Sequence, residues 1–215
     1  FRRVLFRSKL GVRTKKIVEM VAEEIARHQV VKDPQTAAVK ILEAAGLKIK
    51  SPEKGTDALF FLGRTQARAL AQLVVDHPDI IKGGASREDK AKVARALTES
   101  PAIDIALFGR MVADDPSLNT DASAQVAHAL STHKVSNEYD YFTAVDDLAA
   151  EDNAGAGHIG TMEFNSSTMY RYATVALHQL AEQLAEDTVQ AAVQFVRAFV
   201  CSMPTGKQNS FANRT

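Results

Sequence analysis

The sequence predicts an α+β fold, and three features of its patterning carry that reading. Apolar residues recur at helical spacing through most of the first hundred residues. Short runs of strand type fall mainly later in the chain. The two kinds of element do not alternate regularly, so a parallel βαβ sheet is not expected. The 215 residues are 46% hydrophobic and 24% charged, proportions that support a packed core. A single cysteine, Cys201, excludes a disulfide scaffold and fits a reducing cytoplasm. No apolar run approaches the roughly 18 residues of a membrane-spanning helix, so no membrane partner is expected.

From about Gly11 to Gln29, Ile17, Val18, Val21 and Ile25 form a helical stripe. A second helix is punctuated by Asp33 as N-cap, Pro34 at its first position and Gly46 beyond its end. Ala58 to Leu62, wholly apolar, reads as a buried strand. Helix returns from Thr65 to about Asp76. Ser86 and Asp89 resemble a capping box that opens a helix to about Glu99. Residues 102–108 read as a strand leading into Gly109-Arg110-Met111, and 122–132 as a helix. Val135 to Phe164 is turn-rich, with paired aromatics, and reads as an extended hairpin. Met169 to Leu177 alternates as a strand does. A last helix, Glu186 to Ser202, is expected to bury Val189, Ala192, Val193, Val196, Phe199 and Val200, with Cys201 an inert core thiol. Pro204-Thr205-Gly206 turns toward a further strand.

Net charge is zero but unevenly spread. Residues 1–100 hold 20 Lys and Arg against 12 Asp and Glu, and the rest hold 6 against 14. Such asymmetry suits a nucleic-acid surface, a plain solvated face, or copies meeting basic half to acidic half. The chain opens at Phe1 and closes in a polar stretch, so an internal fragment is expected, with FRRVLFRS partly non-native and any sheet that needs the ends incomplete.

Catalytic patterns are sparse. His128 and His133 are five apart, off the spacing that puts two ligands on one helix face, and neither HExxH nor CxxC occurs. No metal and no cofactor is expected. Asp146 and Asp147 are adjacent and would point to opposite faces of a strand. Gly155-Ala156-Gly157-His158-Ile159-Gly160 mimics a nucleotide-binding run without its strand-then-helix context. What remains is a binding constellation. Tyr141-Phe142-Thr143 on the hairpin suits base stacking or a small local core. Arg110 and Met111 suit a turn, or a phosphate contact beside an apolar wedge.

The stretches DIALFGRM (104–111), AHALSTH (127–133), FTAVDDL (142–148), GHIGT (157–161), YRYA (170–173), GKQ (206–208) and LGVRTKK (10–16) resemble, in order and spacing, the CasC family. That family is the repeated backbone subunit of the type I-E CRISPR Cascade complex. The resemblance implies a ferredoxin-like palm of RNA-recognition-motif type, incomplete here, with helical fingers inserted and a β-hairpin thumb. By position, 1–14 would be a palm remnant, 15–101 the fingers, 102–134 a palm strand and connecting helix, 135–164 the thumb, and 165–215 a palm strand, helix and start of a truncated strand. It implies CRISPR RNA as ligand, copies stacked head to tail, other Cascade subunits as partners, and target DNA met through the guide. Arg110, Met111, Tyr141, Phe142, Thr143 and Lys207 would contact RNA, with Phe142 and Met111 as wedges. Lys82, Lys90, Lys92 and Arg95 would line a DNA-contacting face of the fingers. No catalytic residue is expected. The rivals are a metal-dependent RNA-cleaving backbone subunit using Asp104, Asp114 or Asp146, and an assembly protein without RNA contact.

Overall fold

The computed structural model describes residues 9–113, 115–144, 147–148 and 158–212. The chain divides into two compact units: a body, residues 1–125 with 175–215, and a ribbon, residues 126–174.

The body opens with β1 (Val12–Thr14), then α1 (Ile17–His28) and α2 (Pro34–Ala44). Asp33 caps α2 by accepting from the Gln35 and Thr36 amides, and Gly46 takes the left-handed conformation beyond its end. Strands β2 (Ile49–Ser51) and β3 (Gly55–Thr56) form a short hairpin. β4 (Phe60–Leu62) runs antiparallel to β1, with Val12 opposite Leu62 and Thr14 opposite Phe60. Three helices follow: α3 (Arg64–Asp76), the single turn α4 (Asp79–Lys82) and α5 (Arg87–Thr98). The capping box of α5 is closed on both sides, Ser86 accepting from the Asp89 amide and the Asp89 carboxylate from Ser86. Ile17, Ile25, Ile41, Leu42, Leu62, Leu70 and Leu97 are fully buried and form the main core between these elements.

Several expectations change. The first helix starts at Ile17, because Val12–Thr14 pair with β4 instead. Residues 102–108 are not a strand: Ile103–Phe108 is a helix, α6, held by Ile105 and Ala106 amides on the Ala102 carbonyl. Ile103, Ile105, Ala106 and Leu107 are all buried, and a short run buried on every side has no period to distinguish helix from strand. After a 3-10 turn (Pro116–Leu118), the expected helix over 122–132 is two strands, β5 (Ala124–Val126) and β6 (Leu130–Ser131). Their backbone partners are distant in sequence, as in the Ala127 amide on the Tyr172 carbonyl, and pairing of that range overrides local propensity.

The ribbon continues through β7 (Glu138–Ala144), β8 (His158–Phe164) and β9 (Met169–Tyr170), and the chain re-enters the body along β10 (Ala173–Val175), which pairs with β5. The expected Met169–Leu177 strand is thus broken at Arg171-Tyr172. Beyond it α7 (Leu177–Leu184), a 3-10 turn (Ala185–Asp187) and α8 (Thr188–Cys201) complete the body. Here the inward face is reversed. Ala191, Phe195 and Ala198 are buried, while Val189, Val193, Val196 and Val200 are exposed. Small residues permit close approach at the inner face, and Phe195 fills the space beside Phe108, ring centres 6.2 Å apart. Cys201 is exposed, not core. After Gly206 the chain forms a helical turn, α9 (Gln208–Phe211), rather than a strand.

Candidate nucleic-acid interface

The ribbon is built from nested antiparallel pairs. Leu130 faces Tyr170 and Ser131 faces Met169 in β6–β9. Seven consecutive pairs follow in β7–β8, from Glu138 opposite Phe164 to Ala144 opposite His158. His133 ties the junction between them: its Nε2 accepts from the Thr168 amide at 3.2 Å, while Nδ1 lies 3.0 Å from the Lys134 carbonyl.

Every residue of β7 is exposed. Side chains alternate between faces along a strand, and directly opposed residues share a face. Tyr139, Tyr141 and Thr143 therefore stand with Ile159, Thr161 and Glu163, whereas Phe142 stands on the other face with Gly160 and Met162. Tyr141 and Phe142, adjacent in sequence, cannot engage the same base. Tyr141 is 80% exposed and Phe142 41%. Tyr139, also exposed, shares the Tyr141 face; the period-two spacing of 139 and 141 was the signal for it. Asp146 and the glycines at 155 and 157 lie outside the described residues, as do Asp114, residues 1–8 and 213–215.

In the body, Gly109 has φ +76°, and a side chain there would press on the Thr120 carbonyl. This turn directs Arg110 inward and Met111 outward. Arg110 is buried. Its Nε and Nη2 donate to the Leu118 carbonyl, Nη2 also to Leu97 at 2.8 Å, and Nη1 to Phe61 at 3.2 Å. The guanidinium also stacks on Phe60, 5.0 Å from the ring centre. Burial pushes it down to about 10, so it stays charged at neutral pH. The expectation that Arg110 holds a phosphate is corrected by this placement: its donors are engaged inside the body. Met111, by contrast, is 84% exposed.

The four finger cations divide into two groups. Lys82 and Lys90 line a groove of about 490 Å³ together with Lys40, Ile80 and Ile81. Lys40, which sequence reasoning missed, donates to the Ile81 carbonyl at 2.8 Å. It lies on α2, far along the chain from Lys82 and Lys90, so spacing gave no sign of it. Lys92 and Arg95 instead pair with Glu88 at 3.0 Å and Glu99 at 2.6 Å along α5. The Glu99 partner holds the Arg95 guanidinium above its ordinary range. Such exposed pairs are weak and leave both cations open to a competing phosphate. Lys207 is exposed, in the left-handed conformation, at the start of α9.

Among the described residues no three His, Cys, Asp or Glu side chains are grouped to hold a metal, and no helix is long and apolar enough to cross a membrane. Asp104, an acid of the cleavage reading, is buried and accepts from the Gly11 amide at 2.7 Å.

A family model described as CT1975-like protein matches residues 2–215. The chain is similar to a chain of a solved CRISPR RNA-guided surveillance complex in a pre-nicking state, with 32% identity and a TM-score of 0.68 over 96% of its length. It spans 61% of that neighbour's chain. A second solved CRISPR RNA-guided surveillance complex contains a chain 43% identical over 53% of this one and 44% of its own length, with a TM-score of 0.46. No curated protein matches.

Proposed function

Since the chain belongs to the CT1975-like protein family, we propose that it is an RNA-binding backbone subunit of a Cascade-like surveillance complex, of the CasC kind found in type I-E systems. The observation that carries this reading is the 32% identity with a surveillance-complex chain over 96% of the sequence. The exposed aromatics of β7 support it, because sequence-tolerant stacking on single strands needs such side chains. In this reading copies stack head to tail along a CRISPR RNA in the cytoplasm, beside other subunits, and present it for pairing with target DNA. Sequence is then read by guide pairing, so the protein supplies stacking and backbone grip alone. Tyr141, Phe142, Thr143, Met111 and Lys207 contact the RNA. Lys82, Lys90, Lys92 and Arg95, with Lys40, meet duplex DNA. The subunit itself performs no hydrolysis.

Purification of the full-length protein tests the reading directly. RNA of uniform length should accompany it; its absence would favour an assembly role. Cleavage of that RNA in Mg²⁺, abolished in Asp146→Asn, would replace the reading with the nuclease alternative. For the cations, neutralising Lys92 and Arg95 together should flatten the salt dependence of DNA binding by about 0.9 for each phosphate no longer neutralised. An unchanged slope removes them from the DNA face.

A further inference from the structure

Gly160 stands directly opposite Phe142 in the β7–β8 register. A Cβ added at Gly160 would meet the far end of the Phe142 ring, closest to Cζ, then Cε1 at 2.8 Å and Cε2 at 3.1 Å. The ring therefore lies across the bare backbone of β8. Glycine is not required here for its dihedral freedom, since Gly160, unlike Gly55 or Gly109, has no φ in the left-handed range. What the position needs is the missing side chain. A glycine inside a strand weakens it, and covering that glycine with an aromatic ring from the neighbouring strand offsets the loss. With one face on this floor, Phe142 keeps 41% of its surface exposed.

We propose that Gly160 is the positioning residue for Phe142, holding the ring flat so that its outer face meets a nucleobase. The inference rests on the RNA-binding reading above. A ring already fixed has less rotational freedom to lose on stacking, so the floor raises affinity without touching RNA. It also sets the height of the ring above the ribbon, which a methyl group at 160 would change.

The test is a double-mutant cycle in the full-length protein, read by binding of a single-stranded guide RNA of fixed length. Gly160→Ala should weaken binding about tenfold, within the range expected for the stacking of one base. Phe142→Leu should weaken it to a similar degree. Leucine lacks the Cε and Cζ atoms that the new methyl meets, so the double variant relieves the clash. Adding Gly160→Ala to Phe142→Leu should then cost nothing further. Thermal melting of each variant separates a collapsed ribbon from a displaced ring. Wild-type binding by Gly160→Ala, or an equal loss in both backgrounds, would overturn the positioning role while leaving the RNA reading intact. Wild-type binding by Phe142→Leu would remove Phe142 from the RNA reading itself, and this inference with it.

Discussion

In the body, α1, α2, α3 and α5 turn Ile17, Ile25, Ile41, Leu70 and Leu97 completely away from water. Along β7 in the ribbon, every residue is exposed, including two tyrosines and a phenylalanine. Both regions are rich in large apolar side chains, yet among the described residues the buried core clusters lie in the body. A two-stranded ribbon is marginally stable by itself, and apart from Phe142 over Gly160 the exposed aromatics of β7 are not consumed by a buried core among the described residues. In the RNA-binding reading proposed above, they are there to meet a ligand outside the ribbon. The contrast teaches where to look for function: where large side chains are not consumed by packing.

That contrast can be broken by substitution. The largest effect is expected for Arg110→Met, which removes four charged-donor contacts to the buried carbonyls of Phe61, Leu97 and Leu118, of which Leu97 keeps the Gln66 Nε2 donor. Denaturant unfolding should show a loss of about 3–5 kcal/mol, since more than one hydrogen bond from a charged donor is lost, at about 1.5–3 kcal/mol each. Leu70→Ala comes next, at about 2–5 kcal/mol from reduced transfer energy and the cavity left behind. If either cost no more than a surface change, the body would not be the packed unit described. Tyr141→Ala sharpens the comparison from the other side. Its melting transition should move little, while guide RNA affinity should fall by about 1–3 kcal/mol per site. A destabilised protein with unchanged affinity would make Tyr141 a packing residue after all. The smallest effect is expected for Ser86→Ala, about 1 kcal/mol from removal of the cap of α5.

The same cap adds a pH dependence. The Ser86 hydroxyl and amide hold the Asp89 carboxyl below its usual range. A depressed folded-state value means that this stabilisation is complete above the ordinary aspartate value of about 3.9, and fades as pH falls through the folded value. Ser86→Ala should therefore narrow the difference in acid stability between pH 5 and pH 2, measured by unfolding at each pH.

What was legible in the sequence was local. The Asp33-Pro34 start of α2 and the Ser86/Asp89 box of α5 involve partners within three residues, and both stand in the structure as read. Features decided by distant partners were not legible. Ala124–Val126 pairs with Ala173–Val175, and nothing nearby marks it as strand rather than helix. Val189, Val193, Val196 and Val200 form as good a stripe on α8 as the face that is buried, so periodicity alone chose the wrong side. The aromatics of the ribbon were visible as residues, but not their division between faces, which depends on register. Arg110 looked like a surface cation because composition carries no information on burial.

Arg110 also has a consequence for motion. One guanidinium closes carbonyls at the end of α5, in β4 and in the turn around Leu118. Releasing any one of these segments leaves a charge inside with too few acceptors, so the three tend to open together. Their amides should exchange with deuterium as one cooperative unit, at a shared rate, rather than fraying separately. Met111, one residue along, is then a solvent-facing tip anchored directly beside the residue that ties this unit together.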